Sequence, residues 1–399
     1  MRTQAIKTRY DVIIVGGAVT GSSTAYFLAA NPDFTGSVLV IERDWSYAKS
    51  ATALSSSSIR HQFSNAINVQ ISQFGTEFIR KAGDLLEVDG NRPDLHLVEN
   101  GYLFVAPPGR GVDVLRRNHE TQRAMGADVT LLQPDALAER FPWLNVSDLA
   151  LGSIGESGEG WFDNVGLLNA FRSKARSLGI EYIEAEVVSL SCDKGLVQSV
   201  TFASGQTVSC GILVNASGTR GRKVAAMAGL DIPVEPRRRS LFVFACATRL
   251  PGPVPMVIDH TGLFFRPEGQ FFLAGTTPDP DPEVAFDDFE IMHHEFEDAV
   301  WPALYDRVPA FESIKVVNSW AGHYDFCTLD HNVILGPHPD RANFLFANGF
   351  SGHGLQQSPA IGRALSELIT YGGYRTLDLS PLGYARVIAN EPFTEDSVI

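Results

Sequence analysis

The pattern that most restricts the fold of this chain lies between Tyr10 and Glu42. Tyr10 to Val15 is a short run, apolar apart from Asp11, the pattern of a buried parallel strand. Gly16-Gly17-Ala18-Val19-Thr20-Gly21 follows, then helix formers from Ser22 to Ala30. A second apolar run, Ser37 to Ile41, ends in Glu42. Strand, glycine turn, helix, strand and acid together make a βαβ unit suited to a dinucleotide. Gly16 permits the tight turn, and Gly21 lets helix and strand pack closely, so that helix N–H groups face a pyrophosphate. Glu42 is placed to accept hydrogen bonds from a ribose. Ala18 is irregular. It stands where the pattern has its second glycine, and its methyl narrows the room for a phosphate. The alternative is an ordinary βα turn with no ligand.

The remaining composition narrows the partners. The chain has 399 residues, enough for two domains, and a formal charge of −14. Arg237-Arg238-Arg239 is the longest basic run, too short for a patch that would bind nucleic acid or an anionic membrane. Cys192, Cys210, Cys246 and Cys327 have no C-x-x-C spacing, which points to free thiols in a reducing compartment. The start, "MRTQAIKTRYD", lacks the apolar core of a signal peptide, and no run is long enough to suggest a transmembrane helix. These features predict a cytoplasmic protein. His293-His294 and the nearby Asp279, Asp281, Asp287 and Asp288 fit no standard metal spacing; "TTPDPDPE" reads as an exposed turn run.

Three distant segments add chemistry. Ala51 to Gln70 runs four serines into Ile59-Arg60-His61-Gln62-Phe63, ahead of a helix-like stretch. Gly211 to Leu230 reads as a buried strand, a small-residue turn and a helix. Phe344 to Ile369 reads as strand, glycine-punctuated loop and helix. Three glycines in Gly349-Phe350-Ser351-Gly352-His353-Gly354 suggest close backbone approach to a ligand at a helix N-terminus.

With these segments in view, the chain resembles the glycine/sarcosine/D-amino-acid oxidase (DAO) family of FAD enzymes over nearly its whole length. The resemblance rests on "GGAVTG", "IERD", "KSATALSSSSIRHQFS", "ILVNASG", "WAGHYDFCTLDHNVILGPHP" and "GFSGHGLQQSPAIGRALSELI". The last two are similar to a mitochondrial FAD-dependent oxidoreductase-domain branch linked to respiratory complex assembly. "VEPRRRSLFVFA" is similar to bacterial D-arginine dehydrogenases.

The resemblance implies an α/β fold with two parts. One is a Rossmann-like FAD-binding domain of glutathione-reductase type with a parallel sheet, made of residues 1–88, 158–232 and 330–388. The other is an α+β substrate domain on an antiparallel sheet, made of 89–157 and 233–329. "GYLFVAPP" and "SLFVFACATRL" read as strands, "GLFFRPEGQFFLAG" as a hairpin, Glu290 to Asp306 as a helix, and the tail after Thr376 as a surface segment. The same resemblance implies the FAD contacts. Gly16, Gly17, Ala18 and Gly21 would hold the ADP half, with Glu42 and Arg43 at the ribose. Ser50, Ala51, Thr52, Ser56, Ser57 and Ser58 would follow the pyrophosphate and flavin edge. Val187 or Val188 would touch adenine, and Ser217 and Gly218 would approach the dinucleotide. Gly322, Gly352, His353, Gly354, Leu355 and Gln356 would surround the flavin, where a helix N-terminus favours negative charge.

The family's reaction is hydride transfer to flavin N5 from the carbon beside an amine nitrogen, followed by hydrolysis of the imine. Arg60 and Arg239 match arginines that contact a substrate carboxylate and are expected to act as a fork. Their alternatives are a phosphate-facing arginine and a cross-strand ion pair. Tyr324 either donates a hydrogen bond or packs, and Phe63, Phe264 and Tyr324 make the pocket partly apolar. His353 bonds or tunes the flavin, or else caps the helix.

Departures from the family pattern also carry information. After "SWAG" this chain has His323-Tyr324 where D-arginine-dehydrogenase-like sequences have Leu-Arg, so one carboxylate arginine is absent. "QFFLAGTT" lacks the lysine that sarcosine-type oxidases set near flavin N5, which tilts the expectation toward a dehydrogenase with an unidentified electron acceptor. His323 and Cys327 lie near the family's covalent attachment point, and non-covalent FAD is the expectation. A 2-hydroxy-acid dehydrogenase and a non-catalytic, FAD-stabilised assembly factor are the alternative functions.

Overall fold

In the computed structural model, which describes residues 2–396, the strand Arg9–Val15 lies inside an eight-stranded sheet. It pairs in parallel with Val38–Glu42 on one side and Thr207–Asn215 on the other. Glu181–Glu184 and Arg341–Asn348 extend the parallel set outward. Ile334–His338 closes one edge antiparallel, and the hairpin of Val187–Asp193 with Leu196–Phe202 joins Thr207–Asn215. Val12 and Ile14 of the first strand enter one core while Ile13 and Val15 enter the other. Successive side chains point to opposite faces, so the stretch covered on both sides, Val12 to Val15, has no polar positions, whereas Arg9 and Asp11 are exposed.

Helices Val19–Ala30, Ala66–Arg80, Asn164–Ser177 and Gly354–Tyr371 contribute to the core on one face. The first and last of these approach closely. Ser23 Oγ donates to the Ser358 carbonyl at 2.8 Å, and a Cβ on Gly362 would sit 2.2 Å from Ser23 Oγ. Gly21 does similar work against the glycine turn, where a Cβ would lie 1.8 Å from the Gly16 carbonyl oxygen.

A second eight-stranded sheet runs in the order Ile314–Cys327, Val234–Cys246, Phe271–Gly275, Phe264–Glu268, Met256–Ile258, Tyr102–Ala106, Leu151–Gly155 and Val129–Leu132. All its neighbours are antiparallel except Met256–Ile258 with Tyr102–Ala106. Phe264–Glu268 and Phe271–Gly275 form the hairpin read from the sequence. The helix expected from Glu290 begins later, at His293, and runs to Arg307 through a π turn at Phe296–Val300.

The tail departs from expectation in part. Much of it is exposed, as read, but it is anchored: Leu379, Leu382, Arg386 and Glu395 are buried. Arg386 pairs with the buried Asp330, with its Nε 2.6 Å from Oδ2. Glu395 accepts the Ser64 N–H at 2.6 Å and Asn68 Nδ2–H at 2.8 Å. Buried charges are tolerated here because Arg386 and Asp330 pair and Glu395 is hydrogen-bonded. Among the described residues no helix is long and apolar enough to cross a membrane.

Candidate active site

A cavity of about 450 Å³, within the range of small-molecule sites, is lined by residues of both sheets. One half is built on the glycine turn. Gly16 has φ +101°, and a Cβ there would lie 2.3 Å from the Ala216 carbonyl oxygen, so only glycine fits. Ala18 has φ −68°, open to any residue, and it lines the cavity without strain. Glu42 accepts the Gly17 N–H at 2.9 Å and the Asp44 N–H at 3.0 Å. Each carboxylate oxygen keeps a further lone pair for a ribose hydroxyl. Burial pushes the Glu42 carboxyl above its ordinary range. Arg43, Lys49, Arg220 and Lys223 also line the cavity, with Arg220 paired to Asp287 and Lys223 to Glu186.

At the other end lies the loop before helix Gly354–Tyr371. Gly352 has φ +92°, and a Cβ on it would stand 2.7 Å from the Tyr324 ring. The flanking glycines are also tightly packed within the protein: a Cβ on Gly349 would meet Cys327 Cβ at 3.1 Å, and one on Gly354 would meet the Phe350 ring at 3.0 Å. Buried Asp325 holds the loop by accepting the Gly349 N–H at 2.9 Å, and burial pushes its carboxyl up to about 6.

Arg60 and His353 meet in the wall of this end. Arg60 is 3% exposed. Its Nε donates to the Gln62 carbonyl at 3.1 Å, and its Nη2 lies 3.3 Å from His353 Nε2. The rings of Phe63, Tyr102 and Phe104 lie 4.5, 5.7 and 5.5 Å from the guanidinium carbon. Every one of these partners is neutral, since burial and the Arg60 charge hold the His353 imidazole well below its usual pKa. A neutral imidazole accepts from Arg60 through Nε2. The Arg60 backbone N–H donates to Gln356 Oε1 at 2.9 Å, so the side chain of Gln356 fixes this segment.

Arg239 is placed differently. Its Nη1 and Nη2 donate to the two oxygens of Asp281, both at 2.8 Å, and its guanidinium carbon lies 4.9 Å from the Tyr324 ring centre. The expected two-arginine fork is therefore not present. Both arginines line the cavity, but only Arg60 lacks a carboxylate partner. Burial raises the Tyr324 pKa, so its hydroxyl stays protonated as a donor.

Ser50, Ala51, Thr52, Ser56, Ser58, Val187, Ser217, Gly218 and Gly322 line the cavity, as do Gly352 to Gln356. Gly17, Gly21, Ser57 and Val188 do not. Gly17 serves Glu42, Gly21 packs the helix, the Ser57 carbonyl accepts the Phe162 N–H, and Val188 faces outward at 47% exposure. Phe63 is fully buried behind Arg60 rather than in the wall. Cys327 is buried in the core with Sγ directed at Asp330, whereas His323 lines the cavity, stacked 4.2 Å from Phe289. Asp281, Lys49 and Phe289 line the cavity and went unrecognised in the sequence. The acid in "TTPDPDPE" gives no sign that its partner lies on a distant strand.

The fit to FAD can be judged from these groups. Helices Val19–Ala30 and Gly354–Tyr371 both start at the cavity, and neither has a side-chain cap or an acid in its first turn. Their positive ends suit a pyrophosphate and the electron-rich pyrimidine end of a flavin. Glu42 suits a ribose.

Comparison with known proteins agrees. Residues 11–368 match the family model described as DAO, FAD dependent oxidoreductase. The FAD-dependent oxidoreductase domain-containing protein 1 of Xenopus laevis is 41% identical, covering 98% of this chain and 85% of that protein. The mitochondrial sarcosine dehydrogenase of Homo sapiens is 25% identical over 91% of this chain and 40% of its own length. The crystal structure of L-proline dehydrogenase from P. horikoshii superposes with a TM-score of 0.85 at 25% identity, covering 97% of this chain and all of that one. The glycine turn, the cavity and these likenesses agree: the chain belongs to the DAO family of FAD-dependent oxidoreductases.

Proposed function

We propose that the protein oxidises the C–N bond of an amino acid, an N-alkyl amino acid or a related amine that bears a carboxylate. The observation that carries this reading is Arg60, a buried guanidinium in the cavity wall that makes no ion pair and whose hydrogen-bond partners are both neutral. A buried cation with no carboxylate in direct contact is costly, and a substrate carboxylate supplies that contact through two parallel hydrogen bonds. FAD, when bound, accepts the hydride. The chain's own residues do the placing. Arg60 fixes the carboxylate and so the distance and rotation of the reacting carbon. His353 and the Gln62 carbonyl hold Arg60. Tyr324 offers a protonated hydroxyl. Leu241, Met256, Ile258 and Phe264 supply an apolar wall that excludes water from the substrate end.

The first sheet and its helices act in this reading as the cofactor domain, from residues 1–88, 158–232 and 330–388. The second acts as the substrate domain, from 89–157 and 233–329. FAD is held without a covalent bond, since Cys327 lies in the core away from the cavity. A dehydrogenase, passing electrons to an acceptor other than oxygen, is favoured because no lysine stands on Phe271–Gly275. A cytoplasmic setting accords with four free cysteines.

The test is an anaerobic titration of the FAD-bound protein with D- and L-amino acids, N-methyl amino acids, simple amines and 2-hydroxy acids. Bleaching of the visible flavin band by a carboxylate-bearing amine is expected, with slow recolouring in air. Bleaching by 2-hydroxy acids alone, or by none of the panel, overturns the reading.

A further inference from the structure

The segment of residues 276–292 joins the second sheet to the helix at His293. None of its residues is buried, yet Thr277, Asp281, Phe286 and Phe289 contribute to the cavity wall. Charge holds much of it in place. Asp288 pairs with Arg238 at 2.8 Å, Asp287 with Arg220 at 2.7 Å, and Asp281 with Arg239 at 2.8 Å. Asp281 is the one of these acids that reaches the wall.

Both Arg239–Asp281 bonds are parallel, one from each terminal nitrogen to each oxygen, and Nη1 donates a further bond to the Arg238 carbonyl at 2.8 Å. This is the face of a guanidinium that a substrate carboxylate takes. The protein therefore presents its own carboxylate where a second substrate carboxylate would bind. Arg60 makes no ion pair, while Leu241, Met256, Ile258 and Phe264 add apolar wall. Of the two arginines, Arg60 is thus open to a carboxylate and Arg239 is neutralised, beside an apolar surface.

We infer that Asp281 is a specificity-determining residue: by occupying Arg239 it restricts the site to substrates with a single carboxylate and an apolar remainder, and it excludes dicarboxylates. The inference rests on the reading that Arg60 takes the substrate carboxylate. A dicarboxylate anchored on Arg60 would bring its second anion toward Asp281, where like charges repel and the Arg239 fork is already taken. Removing the Asp281 charge releases the Arg239 fork and turns a repulsive position into an anion site.

The experiment uses the FAD-bound enzyme and two unreactive acids, propionate and glutarate. Binding is read by calorimetry and by perturbation of the flavin spectrum, with no turnover needed. In Asp281→Ala, glutarate is expected to bind at least about tenfold more tightly than to the wild type, the scale of one charge-assisted pair. Propionate should change by less than about threefold, under a kcal/mol. Adding Arg239→Gln to Asp281→Ala should erase the gain. Asp281→Asn removes the charge while keeping the shape, and the same comparison is read on it if the alanine variant does not fold. Equal changes for both acids, no change for glutarate, or a gain that survives Arg239→Gln each overturn the inference. Failure of the underlying reading looks different: propionate would bind wild type and Arg60→Ala equally, whatever Asp281 does to glutarate.

Discussion

Glu159 is 1% exposed and supports the segment that carries Arg60. Its oxygens accept the His61 N–H and Gln62 Nε2–H, both at 2.8 Å. Burial pushes its carboxyl from the ordinary 4.5 up to about 7, although those two hydrogen bonds and the Arg60 charge pull downward. The folded state therefore binds more protons than the unfolded state between these values, and stability falls as pH rises through that window. The adjacent His61 works in the opposite sense. Burial lowers it from 6.5 to about 4, so its contribution to stability rises with pH over that range. Glu159→Gln removes only the first effect. Urea unfolding across the window should show the variant gaining on the wild type by about 3 kcal/mol as pH rises. A difference that stays flat would mean that Glu159 ionises normally. Gly352→Ala should cost about 1–3 kcal/mol, because φ +92° and the Tyr324 ring both oppose a Cβ. Thermal unfolding and FAD affinity would both register the change. The harmlessness of Ala18 was not legible in the motif, because a residue pattern does not report that φ there is −68°. Nor was the Asp281–Arg239 pair, which joins side chains 42 positions apart.

At the scale of elements, the readable parts were those whose burial sets their composition. Val12 and Ile14 facing one core, with Ile13 and Val15 facing the other, leave an apolar run that can only be an interior strand. The hairpin around Gly269 was equally plain. The tail was not, because Arg386 and Glu395 are charged and composition assigns charges to the surface. Their burial depends on Asp330, Ser64 and Asn68, contributed by distant stretches of chain. Arg386→Ala would strand the Asp330 carboxylate, which also accepts the Phe393 N–H at 3.0 Å. The expected loss is about 3–5 kcal/mol, seen as a lower urea midpoint with unchanged slope. A loss below about 1 kcal/mol would show that water reaches the site.

For the whole molecule, the cavity is the junction of the two sheets, and FAD is the group that fills it. A ligand that binds only the folded state adds stability with its concentration, about 4 kcal/mol at a thousandfold excess over Kd. Deflavination should lower the melting temperature, and FAD should restore it. Arg43 and Lys49 line the cavity outside any ion pair among the described residues and can meet the anionic pyrophosphate. FAD affinity should therefore fall as salt rises.

The account depends most on Arg60 as the anchor of a substrate carboxylate. Once a reducing amino acid is found, the decisive measurement is the anaerobic rate of flavin bleaching by that amino acid and by its carboxamide, in wild type and in Arg60→Ala. Wild type should prefer the carboxylate by about a hundredfold in kcat/KM, and Arg60→Ala should bring the two substrates close together. A preference that persists in Arg60→Ala would place the carboxylate elsewhere and contradict the reading of this site.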